Sequence, residues 1–105
     1  MRVRFTRGSK RDLADIALYI SRDSENRALT YIDELQHACL ALAENADRFG
    51  FLTGREHVGL RRRPYGRYLI IYRVSDDTVM IHRIVSSALD TANLLIDIPE
   101  DEERF

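Results

Sequence analysis

Residues 60–74 read Leu60-Arg61-Arg62-Arg63-Pro64-Tyr65-Gly66-Arg67-Tyr68-Leu69-Ile70-Ile71-Tyr72-Arg73-Val74, an arginine cluster that passes through Pro-Tyr-Gly into an aromatic and β-branched run. Pro64 fixes φ for the first central position of a β-turn and Gly66 suits its last position, so the sequence predicts a hairpin with arms at 57–63 and 67–74. Arginines then line both arms of one ribbon, where planar guanidinium forks can meet carboxylates or phosphates in bidentate fashion. Recognition of an acidic partner is the first expectation. On the second arm Tyr68, Ile70 and Tyr72 share one face and Leu69 and Ile71 the other, so both faces carry apolar groups and the strand should be central. One face is expected to pack on helices and the other to remain for a partner.

Working outward, residues 78–85 alternate as a third strand, joined to the second through Ser75-Asp76-Asp77. Upstream, Arg2-Val3-Arg4-Phe5-Thr6 has the period of a short first strand. Ser9 is the expected cap of a helix running to about Ser21, with Leu13, Ile16, Ala17 and Ile20 as its apolar stripe. Asp23 or Ser24 opens a second helix whose stripe is Ala28, Tyr31, Ile32, Leu35, Ala38, Cys39, Leu42 and Ala43, ending between Asn45 and Gly50. Helices joined so closely form an antiparallel hairpin. The expected fold is therefore α+β: an N-terminal strand, a two-helix hairpin and a three-stranded antiparallel meander completing one sheet, in the order β-α-α-β-β-β. Residues 88–96 suit either a short helix or an apolar tail, and the acidic run after Pro99 reads as solvated. The domain is assigned to residues 1–98 and an acidic tail to 99–105.

At 105 residues the chain forms one domain with one core. Its net charge of −1 hides segregation, because residues 55–83 hold seven arginines while the far C-terminus holds Asp97, Glu100, Asp101, Glu102 and Glu103. Fifteen of the sixteen basic residues are arginine, a bias that high-GC coding would also produce. A single cysteine, Cys39, excludes an internal disulfide and fits a core position. The charged N-terminus is not a signal peptide and no apolar run approaches a membrane span, so a cytoplasmic location is expected. His37, His57 and His82 lack metal-ligand spacing, Ser86 and Ser87 lack a nucleophile elbow, and the glycines are too scattered for a phosphate loop. No metal or cofactor is expected. The ribbon offers cationic clamps, with only His82 and Glu56 nearby as proton carriers.

The assembled pattern resembles the ParE branch of the RelE/ParE superfamily, the toxin halves of bacterial type II toxin-antitoxin modules. The resemblance spans nearly the whole chain. It is carried by Phe5 to Ile20, with Asp12-Leu13-Ala14-Asp15-Ile16-Ala17-Leu18-Tyr19-Ile20 matching the first helix, by Ala28 to Ala46, by Leu60-Arg61 through Tyr72-Arg73, and by Val79 to Asp90. RelE-like members are ribosome-dependent mRNA endonucleases that use Lys, Arg, His or Glu with a C-terminal Tyr. Here Lys10 is the only lysine, no tyrosine follows Tyr72, and Ser86-Ser87 stands where the family often has His-Gly.

The resemblance therefore implies a ParE-like, non-enzymatic inhibitor of DNA gyrase with a plasmid-stabilisation role. It would be neutralised by a cognate ParD-like ribbon-helix-helix antitoxin in a hetero-oligomer. Acidic side chains of the antitoxin or target would meet Arg61, Arg67, Arg73 and Arg83, beside Tyr68 and Tyr72. The enzyme alternative is an mRNA interferase in which Arg61 and Arg83 clamp and His82 moves the proton. A third is an inactive scaffold that serves only as antitoxin partner and corepressor.

Overall fold

A computed structural model describes residues 1–89 together with Thr91, Leu94 and Ile96. The expected acidic tail and the boundary at residue 98 lie outside the described residues. Strand β1 is Arg2–Phe5, with Val3 and Phe5 packed on the core while Arg2 and Arg4 are exposed. Thr6 stops the strand and caps helix α1, Arg7–Ser21: its Oγ1 accepts from the Ser9 N–H at 3.1 Å and donates to the His82 carbonyl at 2.9 Å. Ser9, expected as the cap, instead sits fully buried in the first turn and returns its hydroxyl to the Thr6 carbonyl at 2.8 Å. Helix α2, Glu25–Leu40, is capped by Ser24, and its apolar stripe closes on α1 as the spacing predicts. A last helical turn, α3, covers Leu42–Asn45.

The segment from 57 is not yet a strand. Glu56–Val58 forms a 3₁₀ turn that ends on Gly59, whose φ of +76° reverses the chain before β2 begins at Arg61. Strands β2 (Arg61–Tyr65) and β3 (Tyr68–Ser75) then pair from Arg61 opposite Tyr72 to Tyr65 opposite Tyr68, which places the turn on Gly66-Arg67 and not on Pro64-Tyr65. A two-residue hairpin needs a positive φ at its first central residue, and Gly66 supplies +56°. Pro64 is a strand residue because β2 is an edge. Arg62 turns its N–H outward to the Gly50 carbonyl at 3.0 Å, and Pro64, two residues on, points the same way with no N–H to leave unpaired. Asp76 and Asp77, with φ of 50° and 62°, make the second tight turn into β4, Thr78–Ser86.

The sheet order is β1-β4-β3-β2, with β1 parallel to β4 and the other pairs antiparallel. Helices α1 and α2 cover one face, where Leu13, Ile16, Leu35, Ala38, Ile70, Tyr72, Val79 and Ile81 form the main core. Cys39 is buried there, and loss of water pushes its thiol up to about 12. The opposite face, expected to await a partner, is covered in good part by the chain itself. Leu69, Ile71 and Val85 pack under Leu52, Val58 and Leu60 of the long loop, and Leu94 and Ile96 close over them. Arg55 fastens that cover through a 2.5 Å hydrogen bond to the Leu94 carbonyl.

Candidate functional site

One step along β3, from Ile71 to Tyr72, corresponds to two along β4, from Arg83 to Ile81. His82 is the extra residue of a β-bulge, and the bulge turns the neighbouring side chains off the regular alternation. Arg83 consequently reaches under the start of α1. Its Nε and Nη2 donate to Asp12 at 2.7 and 3.1 Å, and the Ile84 N–H donates to the same carboxylate at 2.8 Å. These hydrogen bonds raise the Arg83 pKa beyond its ordinary value despite partial burial. One carboxylate thus neutralises the arginine and satisfies a backbone donor near the bulge. Gly8 leaves room for this arrangement, since a Cβ there would stand 3.3 Å from Arg83 Cδ.

His82 is only 3% exposed. Burial pushes its imidazole down to about 4, with the Arg73 guanidinium adding to the shift, so it is neutral near pH 7. Arg73 lies on the face away from the helices, against Gly59. Arg61 is held elsewhere: its Nη1 donates to the Phe49 carbonyl at 2.6 Å and its guanidinium stacks 4.0 Å from the centroid of Phe51. Arg61, Arg73 and Arg83 therefore do not converge into one clamp.

The tyrosines divide. Tyr72 is fully buried and donates to the Ala46 carbonyl at 2.5 Å, tying the end of the helical layer to the sheet. It has no surface for a partner, which corrects its placement among the binding residues. Tyr68 is half-buried at the hairpin end, where its ring and that of Tyr65 each lie 6.0 Å from Tyr31. Burial raises the pKa of Tyr31 and Tyr68. Arg67 is exposed on the hairpin turn, with its carbonyl accepting from the Ser87 N–H at 2.7 Å. Of the predicted residues, Tyr68 and Arg67 are the pair that the hairpin brings together at the surface.

An unfilled apolar feature lies on the helical layer. A groove of about 720 Å³ runs between α1 and α2, floored by Ala14, Ala17 and Ala28 and walled by Leu18, Leu29 and Ile32. Leu18 and Leu29 are 63% and 73% exposed. Glu25 and Asp33 stand on its rim. The stripes read from the sequence missed both leucines because they lie off the core-facing side; an exposed leucine on each of two adjacent helices was the available signal. Among the described residues, no helix is long and apolar enough to cross a membrane and no cluster of His, Cys, Asp or Glu could hold a metal.

Residues 3–90 match the family model described as the ParE toxin of the type II toxin-antitoxin system, parDE. The chain belongs to the ParE toxin family. Among solved structures, this ParE-family chain is similar to one from the chromosomal ParDE toxin-antitoxin system of P. aeruginosa, with a TM-score of 0.70 and 21% identity over 82% of this chain and 95% of that one. It is also similar to a chain of the RelBE2 toxin-antitoxin complex of Mycobacterium tuberculosis, with a TM-score of 0.60 and 26% identity over 81% of this chain and 95% of that one. No curated protein sequence gives a significant match. The α+β architecture expected from the sequence is the one these toxins share.

Proposed function

We propose that this ParE-family toxin acts without catalysis, by binding DNA gyrase in the cytoplasm, and that a cognate ParD-like antitoxin neutralises it in a hetero-oligomer. The family match over residues 3–90 carries the reading. The geometry supports binding over chemistry. In the interferase alternative His82 moves the proton and Arg83 is one of the clamps, but His82 is buried and neutral and the charge of Arg83 is already met by Asp12.

The α1/α2 groove is the docking place for an antitoxin segment. Its apolar lining suits the face of an amphipathic helix. Its Glu25 and Asp33 rim favours cationic side chains at the edges of that helix. This differs from an acidic tail spread over the arginines, several of which are occupied within the fold.

The experiment is to assay the purified chain in gyrase supercoiling and in ribosome-programmed mRNA cleavage, with and without the product of the adjoining gene. Gyrase inhibition with intact mRNA, relieved by the neighbour, is the expected result. Cut mRNA with unaffected gyrase would replace this reading with the RelE-like one, which the likeness to the RelBE2 complex makes the natural runner-up. Replacing Leu18 or Leu29 by Glu should weaken antitoxin capture while leaving the melting temperature near that of the parent.

A further inference from the structure

The first eleven residues carry Arg2, Arg4, Arg7, Lys10 and Arg11 and no acidic residue, and all five side chains are exposed. Two of them lie on the edge strand β1 and three on the first turns of α1. Among the described residues Arg2, Arg7, Lys10 and Arg11 make no ion pair. The nearest carboxylate in sequence, Asp12, cannot screen them, because its oxygens are turned beneath the helix to Arg83 and the Ile84 N–H and its side chain keeps only 12% of its exposure.

The arrangement is unfavourable for the isolated fold. Cations in the first turn of a helix oppose its macrodipole, and α1 has no acidic residue there to compensate. Nor does the patch look like the centre of a protein interface, where aromatic and aliphatic anchors are enriched and charges depleted. The exposed Leu18, Tyr19, Leu29 and Leu40 lie further along α1 and on α2. Among the apolar residues of this stretch only Met1 is exposed, at the end of the patch beside Arg2, and charge so concentrated is what a polyanionic backbone requires.

We infer that the β1 strand and the start of α1 form a docking face for the phosphodiester backbone of a nucleic acid. Arg7, Lys10 and Arg11 supply the phosphate contacts and Arg2 extends them along the sheet edge. The contact is independent of base sequence, and it stands whether or not gyrase is the target. Such a face would hold the toxin on the nucleic acid that its target engages.

The test is fluorescence anisotropy of the purified chain with a duplex DNA of about 20 base pairs, a single-stranded RNA of equal length and polyglutamate, over a salt series. Three phosphate contacts give a slope of log K on log salt of about −2.7 for duplex DNA, which is about a 40-fold loss of affinity between roughly 50 and 200 mM. The combined Arg7→Gln, Lys10→Gln and Arg11→Gln variant should lose most of that slope. Its melting temperature should be no lower than the parent's, since the cations oppose the dipole, so weaker binding would not reflect misfolding. Tighter binding of the duplex assigns the face to DNA and tighter binding of the RNA assigns it to RNA; either supports the inference. Preference for polyglutamate would mark a surface for an acidic protein and overturn it. Absence of binding at the lowest salt, or a slope unchanged in the triple variant, would overturn it as well.

Discussion

Replacing Asp12 by Ala removes three hydrogen bonds at once: two from Arg83, at 2.7 and 3.1 Å, and one from the Ile84 N–H at 2.8 Å. Deleting one partner of a fully buried ion pair costs about 3–5 kcal/mol, because a charge is left without compensation. Here the Arg83 side chain retains 30% of its exposure, so the surviving guanidinium can recruit water and that part of the loss falls to roughly 1–2 kcal/mol. The orphaned Ile84 N–H adds about 1–3 kcal/mol. The sum is about 2–5 kcal/mol, which at about 4 °C per kcal/mol for a domain of this size lowers the melting temperature by roughly 8–20 °C. Urea denaturation at pH 7 with circular dichroism measures it directly. Arg83→Met keeps most of the stem's packing and leaves Asp12 its backbone hydrogen bond, so it should cost less than Asp12→Ala. The double variant should cost less than the two singles together, with a coupling of about 1–2 kcal/mol. A loss below about 0.5 kcal/mol for Asp12→Ala, or simple additivity of the two changes, would refute the view that this carboxylate clamps the bulge to α1.

The buried His82 makes stability fall with acid. Its folded pKa of about 4 lies below the unfolded value near 6.5, so the unfolded chain takes up the proton first. Stability is complete above about pH 6.5 and declines as pH drops toward 4, by about 3 kcal/mol in all. A His82→Leu variant should show a flatter profile across that window in thermal melts; identical profiles would contradict the assignment. Tyr72→Phe should cost about 1–2 kcal/mol by urea titration, since it strips the Ala46 carbonyl of its buried donor. Gly66→Ala places a methyl 2.6 Å from the Tyr31 hydroxyl at a φ of +56°, and should cost about 1–2 kcal/mol for the backbone conformation with a steric contribution besides. Adding Tyr31→Phe should recover only the steric share, again by urea denaturation; full recovery would mean that the left-handed turn carries no strain.

The elements themselves were legible because two periods separate along the chain: alternation over residues 2–6, helical stripes up to Ala43, and alternation again from residue 57, of which the strand proper begins at Arg61. The edges of those elements were less so. Thr6 and Ser9 stand three residues apart and both have capping side chains; the hydrogen bond runs from the Ser9 N–H to Thr6, and only the end of β1 decides which residue is the acceptor. Pro64 looked like a turn residue because proline is excluded from most strands, yet the outward N–H position of an edge strand needs no donor. Whether β2 is an edge is a property of the whole sheet. The site was harder still. Arg83 was identified as a conspicuous cation, but its partner Asp12 lies 71 residues away, and nothing local indicates which carboxylate will be folded beneath it. Likewise, two apolar faces on β3 predict a central strand without saying that Leu60 and Leu94 of the same chain will cover one of them.

The fate of the arginines decides how function can be probed by mutation. Arg83 is bound to Asp12, Arg61 to the Phe49 carbonyl and the Phe51 ring, Arg55 to the Leu94 carbonyl, and Arg27 to Glu34 and the face of Tyr31. Charge reversal at Arg61 or Arg83 would place a carboxylate against a carbonyl or beside Asp12, so loss of toxicity there would report a damaged fold as readily as a damaged interface. The exposed positions are different in kind. Leu18 and Leu29 stand open on the groove, and Arg7, Lys10 and Arg11 make no ion pair among the described residues, so changes at these sites leave the core contacts untouched. Variation there can separate antitoxin capture from nucleic-acid contact, because the two surfaces share no residue. A toxin whose groove variant escapes its antitoxin yet keeps its target, and whose basic variant does the reverse, would show that the two ends of α1 serve opposing partners.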